Sequence, residues 1–328
     1  MNVCVYGAGA VGGSIAARLS AAGQDGSVSV SVVARGAQLE AIRERGLTVI
    51  SGDKRIEARV HGVDDPAMLG PQDLVVVTVK GQQLPAIAAP LGRMVESGAR
   101  VVFAMNGILW WFADGLPLRL PVAFAERLDP GGELRKRIPS DRIIGCVVNS
   151  SNEVIEPGVI VNTSPARNRL VVGAADRSSP RSFAALNDVA ALFSRAGYES
   201  PVAPDIRQEV WSKLALYTGF SAVAALTHCS LDRLVADPGT YELMAGLMRE
   251  TIEIGAAMGF ELSTDVDSDL ARFRGRPTRP SMLQDFERGR EPELDGSVLA
   301  VEAIAEALGV TALRVRMVAA LLRMKAAH

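Results

Sequence analysis

Residues 2–12 read Asn2-Val3-Cys4-Val5-Tyr6-Gly7-Ala8-Gly9-Ala10-Val11-Gly12. The first five are mostly apolar and suit a buried strand. The glycines that follow are spaced G-x-G-x-x-G, and the small residues of 10–22 suit a helix. Each glycine has a physical task in such a strand–turn–helix. Gly7 permits the tight turn, Gly9 lets the backbone approach a pyrophosphate, and Gly12 lets the helix pack closely on the strand. Ala10 and Val11 open the helix, whose first N–H groups and partial positive charge favour phosphate. Another β-rich run follows at 28–34, the distance a βαβ unit requires. Gly7, Gly9, Ala10, Val11 and Gly12 are therefore expected to bind a dinucleotide.

The same alternation extends outward. Residues 38–44 and 84–94 read as helices, and 74–79 and 100–105 as solid apolar strands of the kind buried on both faces. Together they predict an α/β fold with an N-terminal Rossmann-type, doubly wound parallel sheet. From 114 to 142 the pattern weakens. Asp129-Pro130-Gly131-Gly132 reads as a turn, and the charged patch 133–137 as a solvated surface loop. Strands return at 143–148, 158–162 and 169–172, then a helix at 181–196 and a strand near 199–202. After Pro201 and Pro204 only helices are legible, at 206–227, 241–258, 281–288, 294–308 and 311–324. The expected division is 1–203, a nucleotide-binding Rossmann-type domain, and 204–328, an all-helical domain for substrate and dimerisation. The apolar stretch 315–322 suits a homodimer face or the core.

The end of the second strand reads Val32-Val33-Ala34-Arg35-Gly36. A site for NAD wants an acid there to hold the ribose hydroxyl, and Arg35 instead offers a planar cation suited to a 2′-phosphate. The expected cofactor is NADPH/NADP; the bland alternative is a solvated arginine at a strand end.

Composition excludes several classes. Lys and Arg total 35 against 37 Asp and Glu, so no basic excess points to nucleic acid or an anionic membrane. Aromatic residues at 5% argue against base-stacking platforms. Cys4, Cys146 and Cys229 are far apart with no CxxC pair, which argues against a disulfide framework and fits a reducing cytoplasm. The three histidines, His61, His228 and His328, make a metal site or a His-based triad improbable, so no metal is expected. The apolar run 3–17 lacks a preceding basic residue and is cut by glycines, unlike a signal peptide. The uncharged run between Lys213 and Asp232 carries several polar residues and suits a buried helix better than a membrane span.

Further motifs carry a resemblance. Beside the glycine fingerprint and Arg35 stand Thr78-Val79-Lys80, Asn106-Gly107, Trp211-Ser212-Lys213-Leu214, Ser281-Met282-Leu283-Gln284-Asp285 and Glu293-Leu294-Asp295. In this order, with Ser281 and Glu293 twelve residues apart, the chain resembles the ketopantoate reductase (2-dehydropantoate 2-reductase) family over nearly its whole length. The resemblance implies NADPH-dependent reduction of a 2-oxo acid, in the default case 2-dehydropantoate to pantoate in pantothenate biosynthesis. It implies Lys213 as general acid, Ser281 as holder of the substrate carboxylate, and Glu293 facing the cofactor amide and ribose. It also implies Asn106 beside the nicotinamide ribose and substrate, and Lys80 as a helper lysine near both.

The chemistry of the residues agrees. Hydride addition to a carbonyl builds negative charge on its oxygen, which a nearby acid must neutralise. Lys213 borders the uncharged stretch, where desolvation eases release of its proton. Each position also has a plainer reading: Ser281 as N-cap with Gln284 three residues on, Glu293 as a dipole partner at a helix start, Asn106 as a turn residue, Lys80 as a surface lysine.

One departure concerns the substrate. The family carries Lys-x3-Asn-x3-Asn on one helix, and here those positions are Lys213, Tyr217 and Ser221. Tyr217 and Ser221 are expected to line a pocket reshaped for a different 2-oxo acid. Near the C-terminus, in a lesser change, Thr-Pro-x-Asn becomes Thr311-Ala312-Leu313-Arg314. The alternatives are a reductase or dehydrogenase of another oxo or hydroxy acid, and a catalytically idle NADPH-binding sensor.

Overall fold

In a computed structural model of the chain, residues 1–262 and 265–327 are described. His328 lies outside them. The first half runs β1 (Asn2–Tyr6), α1 (Ala10–Ala22), β2 (Ser29–Val33), α2 (Gly36–Arg45), β3 (Leu47–Ser51), β4 (Lys54–Ala58), β5 (His61–Val63), β6 (Leu74–Val77), α3 (Leu84–Glu96) and β7 (Arg100–Ala104). Then come α4 (Val122–Leu128), α5 (Glu133–Arg137), β8 (Ile143–Asn149), β9 (Asn152–Glu156), β10 (Val159–Asn162), β11 (Arg169–Ala174), α6 (Pro180–Ala184) and α7 (Leu186–Arg195). The rest is helical: α8 (Ile206–Thr227), α9 (Leu231–Ala236), α10 (Pro238–Ala257), α11 (Val266–Ala271), α12 (Ser281–Glu287), α13 (Val298–Leu308) and α14 (Leu313–Ala326).

Two compact units result, Met1–Met105 with Gly131–Ile206, and Asn106–Pro130 with Arg207–His328. The first holds a seven-stranded sheet ordered β11-β8-β7-β6-β1-β2-β5. All neighbours pair in parallel except β11, which runs antiparallel to β8. Val5 lies between Val32 and Val76 across the central register, and all three are buried. Such all-apolar central strands are what a sheet covered on both faces requires. A second sheet, β4-β3-β10-β9, was not legible apart from β10. Its strand β4 is largely exposed and carries Lys54, Arg55 and Glu57, so it lacks an apolar alternation.

Local departures from the expectations have physical causes. The patch 133–137 is a short helix rather than a loop. Leu134 is fully buried, and Glu133 pairs with Lys136 and Arg137 at 3.2 and 2.9 Å along the helix surface. The helix expected at 181–196 is two, meeting at Ala185. The strand expected near 199–202 makes only isolated bridges from Glu199 and Val202 to β11.

The expected single division at Pro204 differs from the two units in segment 106–130, which packs with the helical unit. Arg207, nearly fully buried, donates from Nε to the Phe112 carbonyl at 2.9 Å. The Phe112 ring meets Trp211 at 6.0 Å and Phe260 at 6.4 Å. In that unit Trp211 is fully buried and donates to the Thr251 carbonyl at 2.9 Å. Gly219 brings α8 close to α10, since a Cβ there would stand 2.4 Å from Met248 Cγ. The stretch 315–322 divides by face: Val315, Val318, Ala319 and Leu322 are buried, while Met317 and Leu321 are exposed. Among the described residues no helix is long and apolar enough to cross a membrane.

Candidate active site

The glycine loop of the first unit is built as its sequence implies. Gly7 has φ +100°, a left-handed conformation, and its N–H donates to the Val33 carbonyl at the end of β2 at 3.0 Å. Thr78 Oγ donates to the Gly7 carbonyl at 2.5 Å. A Cβ on Gly12 would fall 1.9 Å from that carbonyl oxygen and 2.2 Å from Thr78 Oγ, so only glycine fits. Gly9 differs. Its φ of −74° suits any residue, and a Cβ there would meet nothing within 4 Å. The protein itself makes no demand for glycine at this point; a phosphate brought against the backbone does. Ala10 and Val11, half-buried, follow at the start of α1, which has no acidic first turn and no side-chain cap to occupy its N–H groups. The loop therefore fits the pyrophosphate of a dinucleotide.

Arg35 is exposed at the end of β2, where α2 begins. Lys80 follows β6 in the same unit, half-buried, with its backbone N–H bonded to Gln83 Oε1 at 3.0 Å. Sequence reasoning missed two supports of this loop. One is the Thr78 hydroxyl. The other is Gln38, which donates to the Ala8 carbonyl at 2.7 Å and accepts from the Gly158 N–H at 3.0 Å. Bonds from a side chain to a distant backbone leave no mark in spacing or composition.

In the second unit the expected residues gather around α8. Lys213 Nζ donates to Asn106 Oδ1 at 2.7 Å. Asn106 is aimed by its turn. Gly107 has φ +79°, a Cβ there would stand 2.3 Å from the Gly296 carbonyl oxygen, and the Ile108 N–H donates to that oxygen at 2.7 Å. The turn is thus strapped to the segment that carries Glu293, whose carbonyl accepts from Ser297 Oγ. Glu293 is half-buried and not at a helix start, because α13 begins only at Val298.

One turn along α8, the Tyr217 and Ser281 hydroxyls are 2.9 Å apart. Burial pushes the Tyr217 phenol above its ordinary value; the Ser281 hydrogen bond opposes this and the Glu293 charge adds to it. The phenol is therefore a neutral O–H donor. Ser281 is not the N-cap: Pro280 holds that position, Ser281 is the first helical residue, and Gln284 donates instead to the Arg279 carbonyl at 2.9 Å. Ser221 departs from expectation as well. It is fully buried, and its Oγ has no hydrogen-bond partner among the described residues. Two steps of four rotate it about 80° from Lys213, far enough to turn it inward. No group of three or more His, Cys, Asp or Glu among the described residues is placed to hold a metal.

Residues 3–177 match the family model described as ketopantoate reductase PanE/ApbA, and 205–326 match its C-terminal counterpart. A 2-dehydropantoate 2-reductase of Mesorhizobium japonicum is 36% identical over 93% of this chain and 91% of its own. The crystal structure of 2-dehydropantoate 2-reductase from Geobacter metallireducens superposes with TM-score 0.83 at 26% identity, covering 99% of each chain. A D-mandelate dehydrogenase solved with NADH and anilino(oxo)acetate shares the fold, with TM-score 0.80 at 17% identity over 100% of this chain and 99% of its own.

Proposed function

Since the chain belongs to the ketopantoate reductase family, and is thus a pyridine-nucleotide-dependent oxidoreductase acting on CH–OH groups, we propose that it reduces a 2-oxo acid to the 2-hydroxy acid with NADPH. The reduction of 2-dehydropantoate to pantoate, the reaction its relatives are named for, belongs to this class. The observation that carries the reading is the 2.7 Å bond from Lys213 Nζ to Asn106 Oδ1, one helical turn from the paired hydroxyls of Tyr217 and Ser281. A cation held by a neutral amide is oriented and remains a proton donor. Two hydroxyls side by side suit the two oxygens of a carboxylate.

When bound, the reduced nicotinamide supplies the hydride that becomes the new C–H bond at the carbonyl carbon. Lys213 Nζ gives a proton to the carbonyl oxygen as its negative charge builds, and regains one from water afterwards. Asn106 keeps the ammonium aimed. Ser281 and Tyr217 hold the carboxylate and so fix which carbonyl reacts. Gly7, Gly9, Ala10, Val11 and Gly12 hold the pyrophosphate. Arg35 pairs with the 2′-phosphate, which favours NADPH over NADH. Lys80 and Glu293 serve the nucleotide and its substrate in the roles the family resemblance gives them. Three cysteines far apart in the chain, none of them disulfide-bonded among the described residues, suit a protein of the cytoplasm.

The test follows NADPH and NADH oxidation with a panel of 2-oxo acids that includes 2-dehydropantoate. Turnover of at least one acid, faster with NADPH, is the expected result. Tight NADPH binding without turnover of any acid would contradict the reading and leave a nucleotide-binding sensor.

A further inference from the structure

Beyond the paired hydroxyls lies a run of rings. Tyr217 and Phe220 have centroids 5.3 Å apart at 56°, and Phe220 and Phe273 are 5.1 Å apart at 59°. All three residues are half-buried, neither sealed in the core nor fully exposed. Phe220 projects within about 20° of Lys213 around α8, whereas Ser221 lies about 80° away and is fully buried. The stripe of α8 that presents the proton donor therefore continues as Tyr217 and Phe220, and Phe273 extends it from the turn after α11.

Resting on the reductase reading above, we infer that the substrate is a 2-oxo acid with an aromatic side chain, an aryl- or arylalkyl-substituted one. Its carboxylate sits on the Tyr217 and Ser281 hydroxyls and its ring packs against Phe220 and Phe273. Ring–ring contacts at these separations contribute beyond area burial alone. Covering half-exposed rings also removes apolar surface from water. A substrate bearing a hydroxyl on its side chain fares worse on this strip. With the carboxylate bound, the Tyr217 and Ser281 hydroxyls are taken by it, and Ser221 Oγ is sealed in the core, so a side-chain hydroxyl of the substrate is desolvated against the rings. Tyr217 then has two tasks, as its hydroxyl meets the carboxylate and its ring begins the aromatic wall.

The test compares kcat/KM for 3-phenyl-2-oxopropanoate, 2-dehydropantoate and pyruvate with NADPH, in the unaltered enzyme and in Phe220→Leu. The aryl acid is expected to exceed 2-dehydropantoate by roughly 10-fold or more, on the scale set by unmatched polar groups. Phe220→Leu is expected to lower the aryl value roughly 2–10-fold, mainly through KM, the scale of one ring contact, and to leave pyruvate nearly unchanged. Should Phe220→Leu fail to fold, as judged by circular dichroism and NADPH binding, Phe273→Leu carries the same comparison. A 2-dehydropantoate value equal to or above that of the aryl acid overturns the inference and leaves the reductase reading standing. Equal losses for aryl acid and pyruvate in the variant overturn it also. No turnover of any acid by an enzyme that binds NADPH removes both.

Discussion

Lys213 sits between two kinds of neighbour, apolar helix on one side and the Asn106 amide on the other. Removing its ammonium should leave the nucleotide loop of the first unit untouched. Lys213→Ala is therefore expected to lower kcat by roughly 10²–10⁴, the range for a general acid, with NADPH affinity unchanged by fluorescence titration. Near-full turnover would take Lys213 out of the mechanism. Arg35 acts on a different quantity. Exposed and facing solvent, it can be deleted without disturbing packing, so Arg35→Ala should weaken NADPH binding and hardly change NADH binding; equal losses for both would show that it does not read the 2′-phosphate. Most of these residues were legible in the sequence because their chemistry is tied to a motif. Ser221 was not. The four-residue repeat suggests that it shares the face of Lys213, but two steps carry it about 80° away, onto the side that close packing of α8 against α10 at Gly219 and Met248 buries.

The strand–turn–helix shows how one motif divides its labour. Gly12 is required by the protein, because a Cβ would collide with the Gly7 carbonyl and Thr78. Gly9 is not required by the protein itself, since a Cβ meets nothing, and on the proposed function it is the bound phosphate that requires it. Gly12→Ala should therefore lower stability by about 1–3 kcal/mol, the usual cost of overpacking. Gly9→Ala should keep the melting temperature and lose nucleotide affinity. A Gly9→Ala enzyme that binds NADPH as before would show that the pyrophosphate lies elsewhere. The βαβ alternation made this part of the fold legible, because strands buried on both faces must be continuously apolar. The β3–β4 hairpin and α5 were illegible for the opposite reason. Strand β4 is a largely exposed edge paired to β3, and α5 buries only Leu134 among its charge pairs; β3 does alternate, with Leu47 and Val49 buried, but its five residues are too short a run to stand out in the sequence. Segment 106–130 escaped because carbonyl-to-Arg207 bonds and the Phe112 contacts, not a periodic pattern, hold it to the helical unit.

At the scale of the molecule, the first unit buries weak acids whose ionisation opposes folding at alkaline pH, Cys4 and Tyr198 among them. Burial pushes the Cys4 thiol from 9.0 up to about 12, and the Tyr198 phenol from 10.0 up to about 12. Below pH 9.0 both stay protonated in folded and unfolded chains, and their contribution is fully present. Above that, the unfolded chain releases protons that the folded chain retains, so stability falls as pH rises toward about 12. The urea midpoint should be flat from neutral pH to about 9 and decline beyond it, and a flat alkaline limb would contradict this. On the proposed function, the nucleotide loop belongs to one unit, and the proton donor and carboxylate hydroxyls to the other, and the reaction is hydride transfer to a 2-oxo carbonyl. The most direct measurement uses NADPH deuterated on one face of nicotinamide C4, with mass spectrometry of the hydroxy acid formed from an accepted 2-oxo acid. Deuterium at C2 of the product from one face of the nucleotide, and none from the other, is the expected result. Product without deuterium from either face, or no product from any 2-oxo acid, would contradict it.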